Sequence, residues 1–436
     1  MTLCTSTQDL FPNCKSKKID AAFDGGNVSS FGGMLLLRQA DQKLGLIEQA
    51  ANCFTDGRRK RSCDHSVEQM LRQRVFGLAA GEEDLNDHDE LRHDLLVQTA
   101  VERDEALASS ATLCRFENLA DRAAAVKLHE LLVDQFIASH TIPPKELVLD
   151  FDATDNPLHG MQEGRFFHGY YDRYCLLPLY VFCGDQILTA YLRPSNKDGA
   201  MHAWAILSLL VKRFREVWPG VRIIFRADSG FCRWRMLRWM DKNDVGYCVG
   251  VARNPVLARL GEEWSELARE RHEQTGDKHQ VIGEFMYAAG SWDRDRRVII
   301  RAEHGSQGRN PRFIVSNIDG EPEELYRKLY CARGDMENRI KEQMQLFSAR
   351  SSAHRWWANQ LRLLLSALAY VLLERMRTLA LSGTRLAKAE CRTLREKLLK
   401  IGAVVTRNTR RIRIHLSERC TCEDLFWRVA EVFASG

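Results

Sequence analysis

The stretch LVLDFDATD, residues 147–155, alternates as a β-strand does but carries three aspartates. Because successive side chains of a strand face opposite sides of a sheet, Asp150 and Asp152 share one face near the strand's C-terminal end. A buried pair of like charges is unfavourable unless a positive group, commonly a divalent metal ion, lies beside it. Two interpretations stay open: a metal site, or a half-exposed Asp150 with Asp155 opening a turn.

The residues that follow predict an α/β fold. CLLPLYVFCG (175–184) and QILTAYLRP (186–194) indicate two more strands, joined as a hairpin. VRIIFRAD (221–228) and VGYCVGVA (245–252) indicate another two, each preceded by an amphipathic helix. Helical crossovers join parallel neighbours, so we expect a mixed five-stranded sheet in which the fourth strand lies beside the first.

This topology predicts that Asp228, which ends the fourth strand, lies next to Asp152, at the end of the first. Adjacent strands run roughly 4.8 Å apart, so both carboxylates could bind one or two divalent ions. Active sites of open α/β sheets lie at this edge. An alternative stays open, because Asp228 could simply cap the helical segment that follows it.

A third acidic group lies far along the chain. Residues 253–320 break the α/β pattern with a helix and short strands, which predicts a β-rich insertion. EPEELYRKLYCARGDMENRIKEQMQLF (321–347) then predicts a helix with Pro322 at its start. Four polar side chains on this helix are spaced by three, four and four residues, and therefore form one stripe. They are Tyr330, Arg333, Glu337 and Lys341.

Together, DFDATD, RADSGF and YCARGDMENRIKE resemble the motifs of DDE transposases of bacterial insertion sequences, in the group with a Tyr-x2-Arg-x3-Glu-x6-Lys signature. The resemblance runs from about residue 64 to 350. It implies an RNase H-like fold, interrupted by a β-rich insertion before the glutamate helix. It also implies that Asp152, Asp228 and Glu337 are the catalytic, metal-binding carboxylates, with Mg²⁺ as cofactor and Mn²⁺ as a substitute.

The resemblance further implies a reaction, namely two-metal phosphodiester hydrolysis and transesterification. The enzyme would bind double-stranded DNA at the inverted-repeat ends of an insertion sequence, cleave it, and transfer the freed 3′-OH ends to target DNA. Tyr330 and Arg333 would hold DNA phosphates near the cut. The signature lysine is replaced by Met344, and Lys341, one turn earlier, could substitute for it. Two alternatives therefore remain: a catalytically inactive or regulatory DNA-binding derivative, and an RNase H-like nuclease without strand transfer.

Basic charge is concentrated towards the C-terminus. From Arg350 to Gly436 there are 17 Lys and Arg against 7 Asp and Glu, so this region carries +10 and the preceding residues −5. TRRIRIHLS (409–417) predicts a strand with Arg411 and Arg413 on its basic face. This strand could bind DNA or pair with a second subunit, which leaves a homodimer on DNA as one option. A solvated basic surface is the alternative.

Two other segments are candidates for DNA contacts. GRRKRS (57–62) precedes a predicted helix, DHSVEQMLRQRVFGLAAG (64–81), with Asp64 as cap and Gly81 at its end. Its basic residues Arg58, Arg59 and Lys60 fit either phosphate contacts or a solvated loop. Trp292, in the insertion, is a candidate for stacking on a flipped base, with ordinary packing as the alternative.

Composition sets the remaining expectations. A chain of 436 residues, 45% hydrophobic, can bury one large core or two to three ordinary ones. The longest apolar run, LLLSALAYVLL (363–373), is too short to span a bilayer, and the first residues lack a signal-peptide pattern, so we expect a cytoplasmic protein without membrane contact. Thirteen cysteines without a C-x2-C pair indicate reduced thiols. The predicted regions are a flexible arm (1–30), a helical DNA-binding region (31–140), a catalytic core (141–252 and 321–380) with its insertion (253–320), and a basic C-terminal region (381–436).

Overall fold

The computed structural model describes residues 11–59, 61 and 63–434. The predicted arm lies partly outside these ranges, and its last residues form a short strand, β1 (Val28–Ser29). Seven helices follow over the stretch that was predicted to be helical. They are α1 (Met34–Leu44), α2 (Leu46–Ala51), α3 (Val67–Ala80), α4 (Asp87–Leu91), α5 (Leu95–Val101), α6 (Ser110–Glu117) and α7 (Arg122–Ala138). None of the helices in the described part of the chain combines the length and apolarity needed to cross a membrane.

Helix α3 begins with a capping box. The Ser66 hydroxyl accepts the Gln69 backbone N–H at 3.1 Å, and the Gln69 side chain accepts the Ser66 backbone N–H at 3.2 Å. The predicted cap, Asp64, is therefore corrected to Ser66, which stands directly before the first helical residue. The predicted end at Gly81 is confirmed, where φ is 100° and glycine is favoured.

A mixed sheet lies at the centre of the molecule, and its first strands come in the predicted chain order. The strands up to residue 251 are β2 (Glu146–Ala153), β3 (Asn156–Pro157), β4 (Phe166–His168), β5 (Arg173–Leu176), β6 (Leu179–Cys183), β7 (Gln186–Tyr191), β8 (Arg222–Ala227) and β9 (Gly246–Val251). Five of them are ordered β7-β6-β2-β8-β9 in the large sheet. β2 pairs antiparallel with β6 and parallel with β8, so the predicted adjacency of first and fourth strands is confirmed. Helices α8 (Ala203–Val217) and α9 (Trp234–Lys242) make the crossovers.

The sheet is larger than the five strands predicted, because residues 279–316 extend it. Helices α10 (Pro255–Leu260) and α11 (Glu262–Thr275) lead to β10 (His279–Tyr287), β11 (Arg296–Gly305), β12 (Gly308–Arg309) and β13 (Arg312–Ser316). β13 pairs with β9, and β11 and β10 continue outward from it, which gives nine strands in one sheet. Without these strands β9 would expose its unpaired backbone groups at a sheet edge.

The predicted glutamate helix is continuous but not uniform. It consists of α12 (Pro322–Glu324), a π-helical segment (Leu325–Tyr330), a 3₁₀ turn (Cys331–Arg333) and α13 (Gly334–Gln345). π-helical turns inside helices are frequent at functional sites. The irregular turns carry Tyr330 and Arg333, so these two side chains do not follow the spacing of a regular α-helix.

The C-terminal residues pack together with the N-terminal helices. Their elements are α14 (Trp356–Arg375) with a π-helical extension (Met376–Ala380), α15 (Cys391–Leu394) with a second one (Arg395–Leu399), β14 (Ala403–Arg407), β15 (Ile412–Leu416) and α16 (Glu423–Ala434). α14 is buried over most of its length and packs against α3, α7 and β7. β14 pairs with both β1 and β15, so residues 28–29 and 403–416 form one small sheet.

Buried apolar side chains form three clusters. The largest joins the N-terminal helices, α14 and the C-terminal elements to one face of β6 and β7. The second fills the opposite side of the sheet, where Phe151 and Phe225 pack against residues of α8 and α9. The third brings Ile224 and Cys248 of the central strands against Leu325 and Tyr326. This third cluster holds the glutamate helix on the sheet.

Candidate active site

Two of the three predicted carboxylates lie at one edge of the sheet. Asp152 is the penultimate residue of β2, and Asp228 directly follows β8. The parallel register sets Phe151 beside Ala227, so that Asp152 and Asp228 come next at the same level. The structure therefore brings the two aspartates together, as the strand order predicts.

Arg333 joins the third carboxylate to the first. Its Nη1 lies 3.0 Å from Asp152 Oδ2, and its Nη2 lies 3.0 Å from Glu337 Oε1. The guanidinium side chain is 18% exposed, against 15% for Asp152 and 53% for Glu337. One partly buried cation thus bridges β2 and the glutamate helix.

The three acidic groups act on one another electrostatically. Burial raises the pKa of Asp152 to about 6, Arg333 opposes this rise, and Asp228 and Glu337 both add to it. Burial alone would lower the pKa of Arg333, but the surrounding anions, Asp152 foremost, raise it overall. The arrangement is a cluster of negative charge that a cation stabilises.

Asp228 also has the local role that its alternative interpretation predicted. Its Oδ1 accepts the backbone N–H of Gly230 at 2.8 Å and caps the 3₁₀ turn Ser229–Phe231. The cap fixes one carboxylate oxygen, and the side chain stays half-buried at the rim of the sheet. Both interpretations of this residue are compatible with its geometry.

Asp150 has a different partner from Asp152. Its Oδ2 accepts Nη2 of Arg226 at 2.6 Å, and both side chains are buried. Nη1 of Arg226 donates to the backbone carbonyl of Leu329 at 2.6 Å. Sequence reasoning missed Arg226, although the parallel register places it opposite Asp150. This ion pair ties both central strands to the π-helical segment that ends at Tyr330.

Tyr330 reaches the sheet because β9 has a glycine beneath it. A Cβ atom on Gly250 would lie 2.8 Å from the Tyr330 hydroxyl and 2.8 Å from the backbone nitrogen of Ser229. Both approaches are closer than a side chain permits, so Gly250 is required for this packing. Burial raises the pKa of Tyr330 to about 12, and the hydroxyl is therefore a neutral hydrogen-bond donor next to the turn of Asp228.

Comparison with known proteins identifies the family. The family model described as transposase DDE domain group 1 matches residues 11–435. The chain belongs to this family. A similar solved structure is the cryo-EM structure of a piggyBac transposase synaptic complex with hairpin DNA, which is 12% identical, with 84% of this chain and 80% of that chain covered and a TM-score of 0.43. No curated protein matches the sequence.

DDE transposases use divalent metal ions, and the oxygen-only donor set of this transposase has the right chemistry for such ions. Within residues 11–59, 61 and 63–434, however, no three His, Cys, Asp or Glu side chains are arranged to hold a metal ion. Arg333 occupies the bridging position between Asp152 and Glu337. A metal ion between these two carboxylates would require Arg333 to leave at least one of them.

The other predicted DNA-binding residues of the transposase are basic side chains outside the carboxylate cluster, and one of them, Lys341, lies one helical turn beyond Glu337 on α13. Arg58 is paired with Asp56 at 2.7 Å, whereas Arg59, Lys341, Arg411 and Arg413 are exposed. Lys60 lies outside the described residues. Among the residues described, none of these side chains contacts the three carboxylates, so their roles stay predictions.

The structure does not bring Trp292 to the carboxylates. Its ring packs edge-on against Tyr287, with ring centroids 5.4 Å apart, and the Arg296 guanidinium lies 5.5 Å from it. Arg296 is the first residue of β11. β11 pairs with β13 and β13 pairs with β9, and through these pairings the start of β11 lies level with the start of β9. Asp228 lies instead where β8 ends. Trp292 is therefore at the opposite edge of the sheet, packed against its second apolar cluster.

Proposed function

We propose that this transposase binds the inverted-repeat ends of an insertion sequence, cleaves the DNA with divalent metal ions and transfers the 3′-OH ends to target DNA. The observation that carries the proposal is the convergence of Asp152, Asp228 and Glu337 around Arg333. The strand order β7-β6-β2-β8-β9 supports a finer proposal, in which an RNase H-like core of five strands is embedded in the larger sheet.

Asp152, Asp228 and Glu337 are the proposed ligands of Mg²⁺ or Mn²⁺. When bound, such ions neutralise negative charge on the attacking and leaving oxygens of a phosphodiester. Asp152 and Asp228 stand on or directly after strands and are fixed by the sheet. Glu337, half exposed on a helix, is the ligand that can change its side-chain conformation without disturbing the core.

Arg333 and Tyr330 are proposed to hold the DNA backbone beside the carboxylates. An arginine that loses its carboxylate partners is left with a planar set of donors that matches a phosphate. Its release from Asp152 and Glu337 therefore couples formation of the metal site to binding of the scissile strand. The neutral Tyr330 hydroxyl offers one further donor at this position.

Duplex DNA beyond the cut is proposed to contact exposed basic side chains. Lys341 lies on α13, next to the site, and Arg59 precedes α3. Arg411 and Arg413 lie at and within β15, an edge strand of its sheet. The same edge supports the proposal of a homodimer on DNA, because an edge strand has backbone groups available for pairing with a second subunit. Two subunits would supply one active site for each end.

Met344 is the observation that favours a second candidate, a catalytically inactive DNA-binding derivative. It lies on α13, is 38% exposed, and stands where the resembling signature has lysine. A thioether cannot contact phosphate as an ammonium does. Cleavage that appears only in Met344→Lys would favour this candidate.

The test uses the purified full chain with linear DNA that carries both flanks of its own gene. Reactions contain Mg²⁺ or EDTA, and products are mapped to the nucleotide. We expect metal-dependent breaks at a matching inverted pair, followed by joined strands. Breaks without any joined product would instead indicate a nuclease, and specific binding without breaks an inactive derivative.

A matched pair of variants ties the reaction to the site. Glu337→Gln removes one proposed ligand and should abolish cleavage while DNA binding persists. Glu324→Gln changes a glutamate of the same helical element, which pairs with exposed Lys328 at 2.6 Å, and should cleave normally. Cleavage by Glu337→Gln at the unchanged rate would refute the assignment.

A further inference from the structure

A hairpin rich in aromatic residues lies beside the carboxylates. β4 and β5 pair antiparallel, with Phe167 opposite Tyr174 and His168 opposite Arg173. Their turn spans residues 169–172. We call residues 166–174 the aromatic hairpin. Its rings are Phe166, Phe167, Tyr170, Tyr171 and Tyr174.

These rings are exposed to an unusual extent. The described chain has eight exposed Phe, Tyr and Trp side chains, and four of them belong to the aromatic hairpin. Tyr170, in the turn, is 85% exposed and Phe167 is 53% exposed. Aromatic side chains gain most when their large apolar faces leave water. A cluster that keeps them in water is therefore typical of a binding surface.

The rings are arranged edge to face, so that in each pair one ring covers a face of the other but its own two faces are not covered by that partner. Tyr170 meets Tyr171 at 5.0 Å between centroids and an interplanar angle of 87°, and Phe167 meets Tyr174 at 5.6 Å and 76°. The Arg165 guanidinium lies 3.8 Å from the centre of the Tyr174 ring. Aromatic faces combined with stacked arginine are the features that bind unpaired nucleobases.

The base of the aromatic hairpin adjoins the active site. β3 follows Asp152 after only three residues and pairs with β5 through Pro157 and Cys175. Arg173 Nε lies 3.9 Å from Asp155 Oδ2. Burial raises the pKa of Tyr171 to about 12, and the charges of Asp155 and Asp152 contribute to the rise. The hairpin, including Tyr171 in its turn, thus lies within electrostatic reach of the proposed metal ligands.

We propose that the aromatic hairpin binds unpaired nucleobases of the DNA strand whose phosphodiester lies at Asp152, Asp228 and Glu337. The inference deepens the proposed function and rests on it for the identity of the strand. Bases next to a cut lose their neighbours when the duplex opens, and stacking on Phe167 and Tyr170 replaces that lost stacking. A protein partner would need a wider surface than one narrow hairpin, whereas a base needs only a ring face.

The test measures binding in EDTA, so that cleavage plays no part. The probes are a 25-bp blunt duplex and the same duplex with a five-nucleotide single-stranded overhang that contains 2-aminopurine. The test variant is Phe167→Ala/Tyr170→Ala, and the ring-retaining control is Phe167→Tyr/Tyr170→Phe. Trp427→Ala removes a ring of similar exposure, 52%, on α16.

Wild type and both controls should quench 2-aminopurine and bind the overhang duplex more tightly than the blunt one. The alanine variant should lose the quenching. Its affinity for the overhang duplex should fall roughly 5- to 150-fold, which corresponds to about 1–3 kcal/mol per stacked base. Its affinity for the blunt duplex should not change. Circular dichroism should show that the variant is folded.

Three results would overturn the inference. In the first, the folded alanine variant quenches and binds as wild type does. In the second, its affinity falls by the same factor for both duplexes, which indicates contacts to the DNA backbone instead. In the third, DNA binding is unchanged but the sedimentation coefficient falls, which indicates a protein interface. Glu337→Gln should retain quenching, because Glu337 is not part of the aromatic hairpin. Quenching by a wild-type protein that does not cleave DNA in Mg²⁺ would count against the proposed function alone.

Discussion

Arg226 and Asp150 form a buried bidentate ion pair across two parallel strands. The side chains are 9% and 4% exposed, and Nη2 lies 2.6 Å from Oδ2. Four residues earlier on the same strands, Arg222 and Glu146 form the equivalent pair at 3.3 Å, but there the side chains are 54% and 41% exposed. The two pairs share strands, register and sign of charge, and differ in burial and in hydrogen-bond geometry.

This difference predicts that removing the acidic partner lowers the free energy of unfolding by unequal amounts in the two pairs. Asp150→Ala leaves the Arg226 guanidinium buried without its counter-ion and should lower the free energy of unfolding by about 3–5 kcal/mol. Glu146→Ala breaks a solvated pair and should cost about 1 kcal/mol or less. Urea unfolding followed by circular dichroism measures both. Similar losses in the two variants would contradict this account of the pair.

Arg333 predicts how the site responds to metal. Arg333→Ala removes the cation that bridges Asp152 and Glu337, so a divalent ion no longer competes with it. We expect Mg²⁺ to raise the unfolding temperature more in the variant than in the wild type. A Mg²⁺ concentration ten times the dissociation constant raises the free energy of unfolding by about 1.4 kcal/mol. Lys341→Ala, on the same helix, is the control. An equal rise in unfolding temperature with Mg²⁺ in all three proteins would show that Arg333 does not compete with the metal ion for these carboxylates.

Met344 predicts a change in salt dependence. Met344→Lys adds one exposed cation on α13 and should make the slope of log affinity for a 30-bp duplex against log salt steeper by about 0.9. Lys341→Met should reduce the slope by a similar amount. Fluorescence anisotropy between 50 and 200 mM KCl is the measurement. Equal slopes of log affinity against log salt for the three proteins would mean that this face of the helix does not contact DNA.

The cap of α3 allows a direct comparison of two residues. Ser66→Ala removes the acceptor for the Gln69 N–H and should lower the free energy of unfolding by about 1 kcal/mol. Asp64→Ala, two residues earlier, should change it by less than about 0.5 kcal/mol. Thermal unfolding of both variants measures the difference. A larger loss in Asp64→Ala would restore the cap that the sequence alone suggested.

Glu374 on α14 predicts a pH-dependent stability. Burial raises its pKa from 4.5 to about 7, so the fold favours the protonated form. The stability that this group contributes is complete below pH 4.5 and is lost as the pH rises through 7. The glutamine of Glu374→Gln does not titrate. The free energy of unfolding of this variant, relative to that of the wild type, should therefore rise by about 2–3 kcal/mol between pH 5 and pH 8. Urea unfolding at both values tests this, and a constant difference would exclude titration of Glu374 in this range.

Much of the site follows from the sequence because it depends on alternation and strand order. The alternation of LVLDFD and the crossovers around VRIIFRAD are local patterns, and together they place Asp152 beside Asp228. The identity of the cap was missed for a local reason as well, since Asp64 and Ser66 are both favourable cap residues. Only the start of the helical backbone distinguishes them.

The features that the sequence did not reveal depend on contacts between distant segments. Arg226 faces Asp150 only once the register of two strands is known, and Gly250 matters only because Tyr330 lies over it. The width of the sheet was missed because the pattern of β10, β11 and β13 does not say which strand they join. The pairing of β13 with β9 is a tertiary choice, set by the edge that β9 would otherwise expose.

The small sheet of β1, β14 and β15 has a consequence for synthesis of the chain. Val28 pairs with Val404, so this contact cannot form until residue 404 has left the ribosome. At 5–20 residues per second this interval is roughly 20 to 75 s. During it the apolar faces of α1 and α3 lack the C-terminal elements that cover them. The nascent N-terminal helices are thus expected to be chaperone clients until the residues around 404 have been synthesised.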